Sequence, residues 1–428
     1  MNRTTMMVVG LMAGATPLAA AVIGHMTPPP SLTVARLADV PPASRGVWQA
    51  YIARSATAMA RDKAALAAER TGLAQVPPPP PEAKGDRTMP LDRDAAWYAG
   101  DQARAIADNI VSYQTPTGGW GKNQDRTAPP RVRGQMYLPF DGKAGPYAAA
   151  DGAGGWSFVG TLDNDATTTE MAFLARVQAA RSGAAGEPYR AAVLKGVAYL
   201  MAAELPGGGW PQVYPLQGGY HDALTLNDDT MVKTTLLLER IAGGTGDYAF
   251  VPATVRDAAG AAAARSVATM LALQVVADGR RTIWAQQYDP LTRKPVGARN
   301  FEPIALASAE SASLLRFLMA RRDPSPAVRQ AIRDGADWFA AHALRDVAWT
   351  PSGGAEGPRL VSKAGAGPIW ARFYDPATQK PAFGDRDRSI RDDVNAVSIE
   401  RRTGYSWFNG QGIGVSTAYA KWRQRHPD

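Results

Sequence analysis

The chain has 428 residues, 45% hydrophobic and 20% charged, a globular composition long enough for one large domain or two smaller ones. It has no cysteine, which excludes disulfides, thiolate metal sites and a cysteine nucleophile, and its four histidines argue against a zinc site of two or three imidazoles. The formal net charge of +8 suits an acidic partner (nucleic acid, an anionic membrane or an acidic polysaccharide) or serves solubility alone. No Lys/Arg run of five or more occurs, which counts against nucleic acid.

The first residues have the layout of a signal peptide. Asn2 and Arg3 form a short polar start, Met6 to Val22 is apolar and small, and Ala19-Ala20-Ala21 offers a cleavage site. Residues 1–27 are therefore read as an export segment, placing the mature chain in the periplasm or outside the cell; an uncleaved anchor is the alternative. Residues 28–86 form an N-terminal extension. Its residues 42–75 are expected to be helical, with Trp48, Ile52, Ala56, Met59 and Leu66 near helical spacing. The five prolines Pro77 to Pro81 suit a stiff spacer.

The main domain is placed at 87–428. Helical stretches are expected at Ala95–Tyr113, Thr167–Ser182, Pro188–Ala203, Met231–Ile241, Pro252–Val275, Ile304–Arg321 and Val328–Leu344. Strand-like alternation is scarce. Long loops rich in glycine and tryptophan separate the helices, and long loops in a compact domain are usually functional.

Two loop motifs recur. Trp284-Ala-Gln-Gln-Tyr-Asp-Pro-Leu-Thr-Arg-Lys-Pro295 and Trp370-Ala-Arg-Phe-Tyr-Asp-Pro-Ala-Thr-Gln-Lys-Pro381 agree at eight of twelve positions. Gly118-Gly119-Trp120 recurs as Gly208-Gly209-Trp210. Repeats of this length fit stacked helical hairpins with equivalent loops at one end, an all-α toroid with its site in the loops.

Three constellations are candidates for chemistry. Asp163-Asn164-Asp165 and Asn227-Asp228-Asp229 each precede a predicted helix. Ordinary helix caps explain one acid per helix, whereas clusters of carboxylates and amides also suit calcium, although neither has EF-hand spacing. Arg299, Arg372, Arg386 and Arg388 lie in or just after the repeated loops, where they form surface ion pairs or grip carboxylates bidentately. The loop aromatics, among them Trp120, Trp210, Tyr288 and Tyr405, pack the loops onto the helices or line a sugar groove. A Gly-x-Ser-x-Gly elbow, a Walker loop and a His-Glu-x-x-His motif are all absent.

At these loops the sequence resembles polysaccharide lyase family 10. The matching stretches are Tyr113 to Asn123, Thr161 to Glu170, Gly208 to Pro215, Asn227 to Asp229, Trp284 to Glu302, Arg372 to Asp375, Phe383 to Asp387 and Glu400 to Trp407. The resemblance implies an (α/α)₃ toroid and calcium-dependent anti β-elimination on α-1,4-linked polygalacturonate by a protein expected to be monomeric. It further implies Arg299 as the base that removes the C5 proton. Calcium would be held at Asp163, Asp228, Asn227 and Asp229. Uronate carboxylates would be bound by Arg372, Arg386 and Lys122, and the loop aromatics Trp120, Trp210 and Tyr288 are read as further substrate contacts. An arginine base conflicts with the guanidinium's high pKa. Two other readings stay open: a toroidal glycoside hydrolase using Asp163 and Asp228 as acid and base, and a non-catalytic uronate-binding protein.

Overall fold

The computed structural model describes residues 21–139, 156–181, 183–350 and 354–427. Most of the expected export segment lies outside them. Among the described residues, no helix is long and apolar enough to cross a membrane.

The helices that matter for the site are α1 (Pro42–Arg70), α2 (Asp101–Ser112), α3 (Thr168–Ala180), α4 (Glu187–Ala203), α5 (Thr230–Gly243), α6 (Ala253–Leu273), α7 (Ser308–Met319), α8 (Pro326–Ala341) and α9 (Gln411–Arg425). The helix expected over Ala95–Tyr113 is broken. Gly100 takes an extended conformation, φ −78° and ψ 169°, between a short turn at Ala95–Ala99 and α2. Gly100 stands at the N-cap of α2, and its low helix propensity outweighs the apolar periodicity. Helix α9 was not foreseen. Its first turn carries Gly412, where a Cβ would come within 2.6 Å of the Trp370 ring, so close packing on that ring overrides a weak helical signal.

Helices α3 and α4, α5 and α6, and α7 and α8 form three antiparallel hairpins, each packed on the next. Helices α3, α5 and α7 are the inner set. Helix α3 shows why: Met171, Phe173, Leu174, Ala175 and Val177 are all fully buried, and only a narrow stripe through Arg176 and Ala179 meets solvent. Helices α4, α6 and α8 lie outside them, and α9 packs against α7 and α8. The result is an α/α toroid.

The connections are unequal at the two ends. Hairpin turns of a few residues (181–186, 244–252 and 320–325) join each inner helix to its outer partner. At the other end, loops 113–167, 204–229 and 274–307 return to the next inner helix, and 342–410 leads to α9. They hold antiparallel strands of two to four residues, such as Leu224–Thr225 on Gln287–Tyr288, and Leu306–Ala307 on Phe373–Tyr374.

Four tryptophans anchor these loops in one way. The indole N–H of Trp120 donates to Ile110 O at 2.7 Å, Trp210 to Leu200 O at 2.9 Å, Trp284 to Met270 O at 2.6 Å, and Trp370 to Phe339 O at 2.9 Å. Each acceptor is a carbonyl in the last turn of α2, α4, α6 or α8, where carbonyls run short of intrahelical partners; those of Ile110 and Leu200 also accept the N–H of the capping residue. The two short sequence repeats are thus parts of one fourfold structural repeat. The Tyr-Asp-Pro repeat is equally structural: Tyr288 and Tyr374 each accept from the backbone N–H three residues earlier and donate to a helix-end carbonyl.

Residues 22–70 pack against this body. The strand Val22–His25 pairs with Ser389–Arg391, which also pairs with Phe383–Gly384. Arg36 forms an ion pair with Asp289, Leu32 N–H donates to Asp222 Oδ2 at 2.9 Å, and Tyr51 O–H donates to Ala203 O at 3.0 Å. Leu32, Leu37, Val40, Trp48 and Tyr51 belong to the same apolar core as the toroid helices.

Candidate active site

The long-loop end of the toroid holds a groove of about 990 Å³. Lys122, Asp163, Asn227, Asp228, Arg299, Arg372 and Arg386 all line it. Loops far apart in sequence bring them together, and four of these loops share a rule. Two residues after each anchoring tryptophan, the chain presents a polar side chain to the groove: Lys122, Gln212, Gln286 and Arg372. Gln212 and Gln286 were not singled out from the sequence. The fourfold spacing, once recognised, would have pointed to them.

The acidic side of the groove is built from two matching turns. Thr161-Leu162-Asp163-Asn164-Asp165 and Thr225-Leu226-Asn227-Asp228-Asp229 share a pattern, and each places its last two residues in the left-handed region. Asn164 and Asp165 have φ 50° and 65°, and Asp228 and Asp229 have φ 52° and 60°. Asn and Asp tolerate this conformation better than other side-chain-bearing residues. In each turn the threonine hydroxyl accepts the N–H two residues on, Asp163 N at 3.0 Å and Asn227 N at 3.1 Å.

The turns bring the carboxyls of Asp163 and Asp228 close enough to perturb each other. Lys122 Nζ pairs with Asp163 Oδ2, Gln212 Nε2 donates to Asp163 Oδ1 at 2.7 Å, and Asn227 Nδ2 donates to Asp228 Oδ2 at 2.9 Å. Burial opposes ionisation of both acids. At Asp163 the neighbouring Lys122 charge and the hydrogen bonds overcome it and hold the carboxyl below the usual range. At Asp228 burial and the Asp163 charge, with Glu310 behind them, push it up to about 7.

Of the four arginines that line the groove, Arg402 is held by backbone carbonyls and the other three are each paired with a glutamate. Arg299 is gripped by Glu302, Nε at 2.8 Å and Nη2 at 2.5 Å. Arg372 Nη2 donates to Glu310 Oε1 at 2.9 Å, and Arg386 reaches Glu400 at 3.2 Å. The partner of Arg386 is therefore Glu400 rather than the adjacent Asp385 or Asp387. Burial alone would favour neutral Arg299 and Arg372. The Glu302 clamp and the Glu310 charge reverse this and hold both guanidiniums above arginine's usual pKa. Phe301 and Tyr405 back these charges: Arg299 Cζ lies 4.8 Å from the Phe301 ring, and Arg372 Cζ lies 4.9 Å from the Tyr405 ring.

Four expected site residues are not in the groove. Trp120, Trp210 and Tyr288 are buried at 0%, 0% and 1% exposure, so none presents a ring to a sugar. Their polar atoms are committed to helix-end carbonyls. A loop position beside glycine resembles exposure in sequence, but a large aromatic there also serves to seat the loop. Asp229 is absent from the groove lining. The aromatic residues that line the groove with some exposure are Phe158, Tyr220, Trp349, Tyr405 and Phe408.

The donor set is all oxygen: two carboxylates and neighbouring amides. Buried Gln212 Oε1 and Glu310 Oε2 lack hydrogen-bond partners. Among the described residues no three carboxylate or imidazole groups converge into a ready-made cage. Two acids close together, one of them resisting ionisation, fit a hard divalent cation that completes its shell with water and substrate oxygens.

The profile of the pectic acid lyase family matches residues 114–415, a span that includes every groove residue named above. The chain belongs to the pectic acid lyase family. Two solved structures are similar to this pectic acid lyase along most of its length. One is the family 10 polysaccharide lyase from Cellvibrio cellulosa, 31% identical with a TM-score of 0.63, covering 78% of this chain and 97% of that one. The other is an aspartate-to-alanine variant of the Cellvibrio cellulosa enzyme in complex with trigalacturonic acid, again 31% identical with a TM-score of 0.63, covering 80% of this chain and 100% of that one. No curated protein sequence matches it. The family and these neighbours make the protein a lyase.

Proposed function

We propose that this lyase cleaves α-1,4-linked polygalacturonate by calcium-assisted anti β-elimination, releasing 4,5-unsaturated oligogalacturonates. The observation that supports this best is the opposition of the Asp163–Asp228 pair to Arg299 and Arg372 across one groove. A hydrolase reading fits less well. Glycosidase carboxyls stand about 5 Å apart when retaining and more than about 6 Å when inverting. The carboxyls of Asp163 and Asp228 lie close enough to perturb each other, nearer than either spacing allows.

Lys122, Arg372 and Arg386 bind uronate carboxylates and fix the chain in the groove. Asp163 and Asp228, with Asn227 beside them, are the residues that would hold calcium. Bound there, calcium supplies neutralisation of the uronate carboxylate, which makes the C5 proton more acidic. Arg299 accepts that proton. The electron pair of the C5–H bond becomes the C4–C5 double bond as the glycosidic oxygen departs. Buried Arg372 and Lys122 offset the charge that develops on the uronate.

Export is part of the proposal. The first described strand begins at Val22, directly after Ala19-Ala20-Ala21. N-terminal sequencing of protein recovered outside the cytoplasm should begin near residue 22. A full-length protein still starting at Met1 would mean an anchor.

The deciding experiment is ultraviolet absorbance of the purified protein on polygalacturonate, with calcium and then with excess chelator. A rise halted by the chelator is the expected result. New reducing ends without absorbance would mean hydrolysis, and neither signal would leave a binding protein.

A further inference from the structure

Neutral guanidine differs from guanidinium in one respect that matters to a base: only one of its three nitrogens carries an available lone pair. An arginine that removes a proton must therefore be deprotonated at the nitrogen facing that proton. The surroundings of Arg299 select among the three.

Glu302 is 2% exposed, and its carboxylate accepts four hydrogen bonds. Arg299 Nε, Arg299 Nη2 and the Arg299 backbone N–H donate at 2.8, 2.5 and 3.1 Å. Tyr405 O–H donates at 2.7 Å. Four is about the full acceptor capacity of a carboxylate. The backbone tightens the arrangement: Glu302 N–H donates to Arg299 O at 2.8 Å, and Ala298 N–H donates to Glu302 O at 3.0 Å. An ionised carboxylate offers no proton, so a lone pair on Nε or Nη2 would face an acceptor and lose a bond. Nη1 alone lies outside the clamp.

We propose that Glu302 is a positioning residue that fixes the base form of Arg299 with its lone pair on Nη1. The inference rests on Arg299 as the base. The C5–H bond breaks and an Nη1–H bond forms. The C5–H electrons make the C4–C5 double bond, the C4–O bond breaks, and the departing oxygen takes a proton from water. Arg299 then returns its extra proton to water. The charged and titratable groups facing Glu302 are Arg299, Arg372 and Tyr405, with Tyr220 facing Arg299 from the opposite loop. Glu302 thus makes the free base scarcer while making it the right tautomer.

This separates two roles that otherwise look alike. If Glu302 only held a charge in place, Glu302→Gln would make Arg299 easier to deprotonate, and the pH–rate profile would move to lower pH with kcat preserved. If Glu302 selects the tautomer, the carboxamide N–H₂ donates into the clamp and draws the lone pair to Nε or Nη2. The experiment measures kcat and KM of the full-length, calcium-replete enzyme on polygalacturonate from neutral to alkaline pH, with melting curves and trigalacturonate binding by calorimetry. For Glu302→Gln, kcat should fall about 100-fold or more at every pH, with ligand affinity within roughly threefold. Retained kcat, or a profile that is only displaced, overturns the proposal. In Glu302→Ala, added formate should refill the clamp and raise kcat about tenfold or more. Lack of rescue also overturns it, and this arm decides should the glutamine variant not fold. Arg299→Ala runs alongside: if it stays active the base assignment itself fails, whatever the Glu302 variants do.

Discussion

The two walls of the groove reach their charge in opposite ways. The acidic wall is made of two tight left-handed turns that lead straight into α3 and α5, so its carboxylates are set by backbone geometry. Asp163 and Asp228 are close together and unequal, one held ionised and the other resisting it. The basic wall is made of hairpin loops, and Arg299, Arg372 and Arg386 are each aimed by a glutamate partner rather than by their backbone. One wall is preorganised to gain positive charge and the other to keep it, a fitting arrangement for a reaction that builds negative charge on a bound uronate.

That contrast can be broken at its centre. Arg299→Ala removes the proton acceptor, and kcat should fall by about 10³-fold or more while trigalacturonate still binds. Turnover near the parent value would remove Arg299 from the chemistry. Next in size, Asp228→Asn keeps the shape of the turn but deletes half of the acidic pair. A loss of about 100-fold in kcat/KM is expected, with a calcium titration displaced to higher concentration. An unchanged titration would move the cation elsewhere.

The basic wall should show a graded response. Arg372 has a side chain 17% exposed and Arg386 one 47% exposed. Arg372→Ala should cost about 2–3 kcal/mol in kcat/KM, whereas Arg386→Ala should cost under about 1 kcal/mol. Equal losses would show that burial does not rank these contacts.

The smallest effect concerns stability without calcium. Asp228 has its folded pKa raised to about 7, above the usual carboxyl value. Between those values the folded state binds more protons than the unfolded state, so stability falls as pH rises. The metal-free protein should lose a few degrees of melting temperature between about pH 5 and 8, and Asp228→Asn should flatten that slope. A slope that survives the substitution would assign it to other groups.

The helices were legible from apolar period, and the hairpin order followed from them. Gly100 and α9 escaped because propensity and close packing overrode periodicity there. The groove was legible in its charges, since carboxylates and arginines gathered in loops have few structural uses. Its uncharged parts were not. Gln212 and Gln286 resemble any loop glutamine until the tryptophan two residues before each is recognised as a fixed anchor. The tryptophans misled for the converse reason: glycine beside an aromatic in a loop indicates a turn, not which way the ring faces. The extension at 28–86 gave no hint of its partner, because the groups it meets, such as Asp222, Asp289 and Ala203, lie more than a hundred residues away.

The four anchoring indoles have a spectroscopic consequence. Trp120, Trp210, Trp284 and Trp370 are sealed from solvent and bonded to backbone carbonyls, so their emission should be blue-shifted and insensitive to ligand. Quenching of that emission would report a loop lifting from its helix. Trp349 is different, because it faces the groove and is only partly buried. It is a native fluorophore placed where an incoming oligosaccharide would be felt, so binding and unfolding have separate optical signatures in the unlabelled protein.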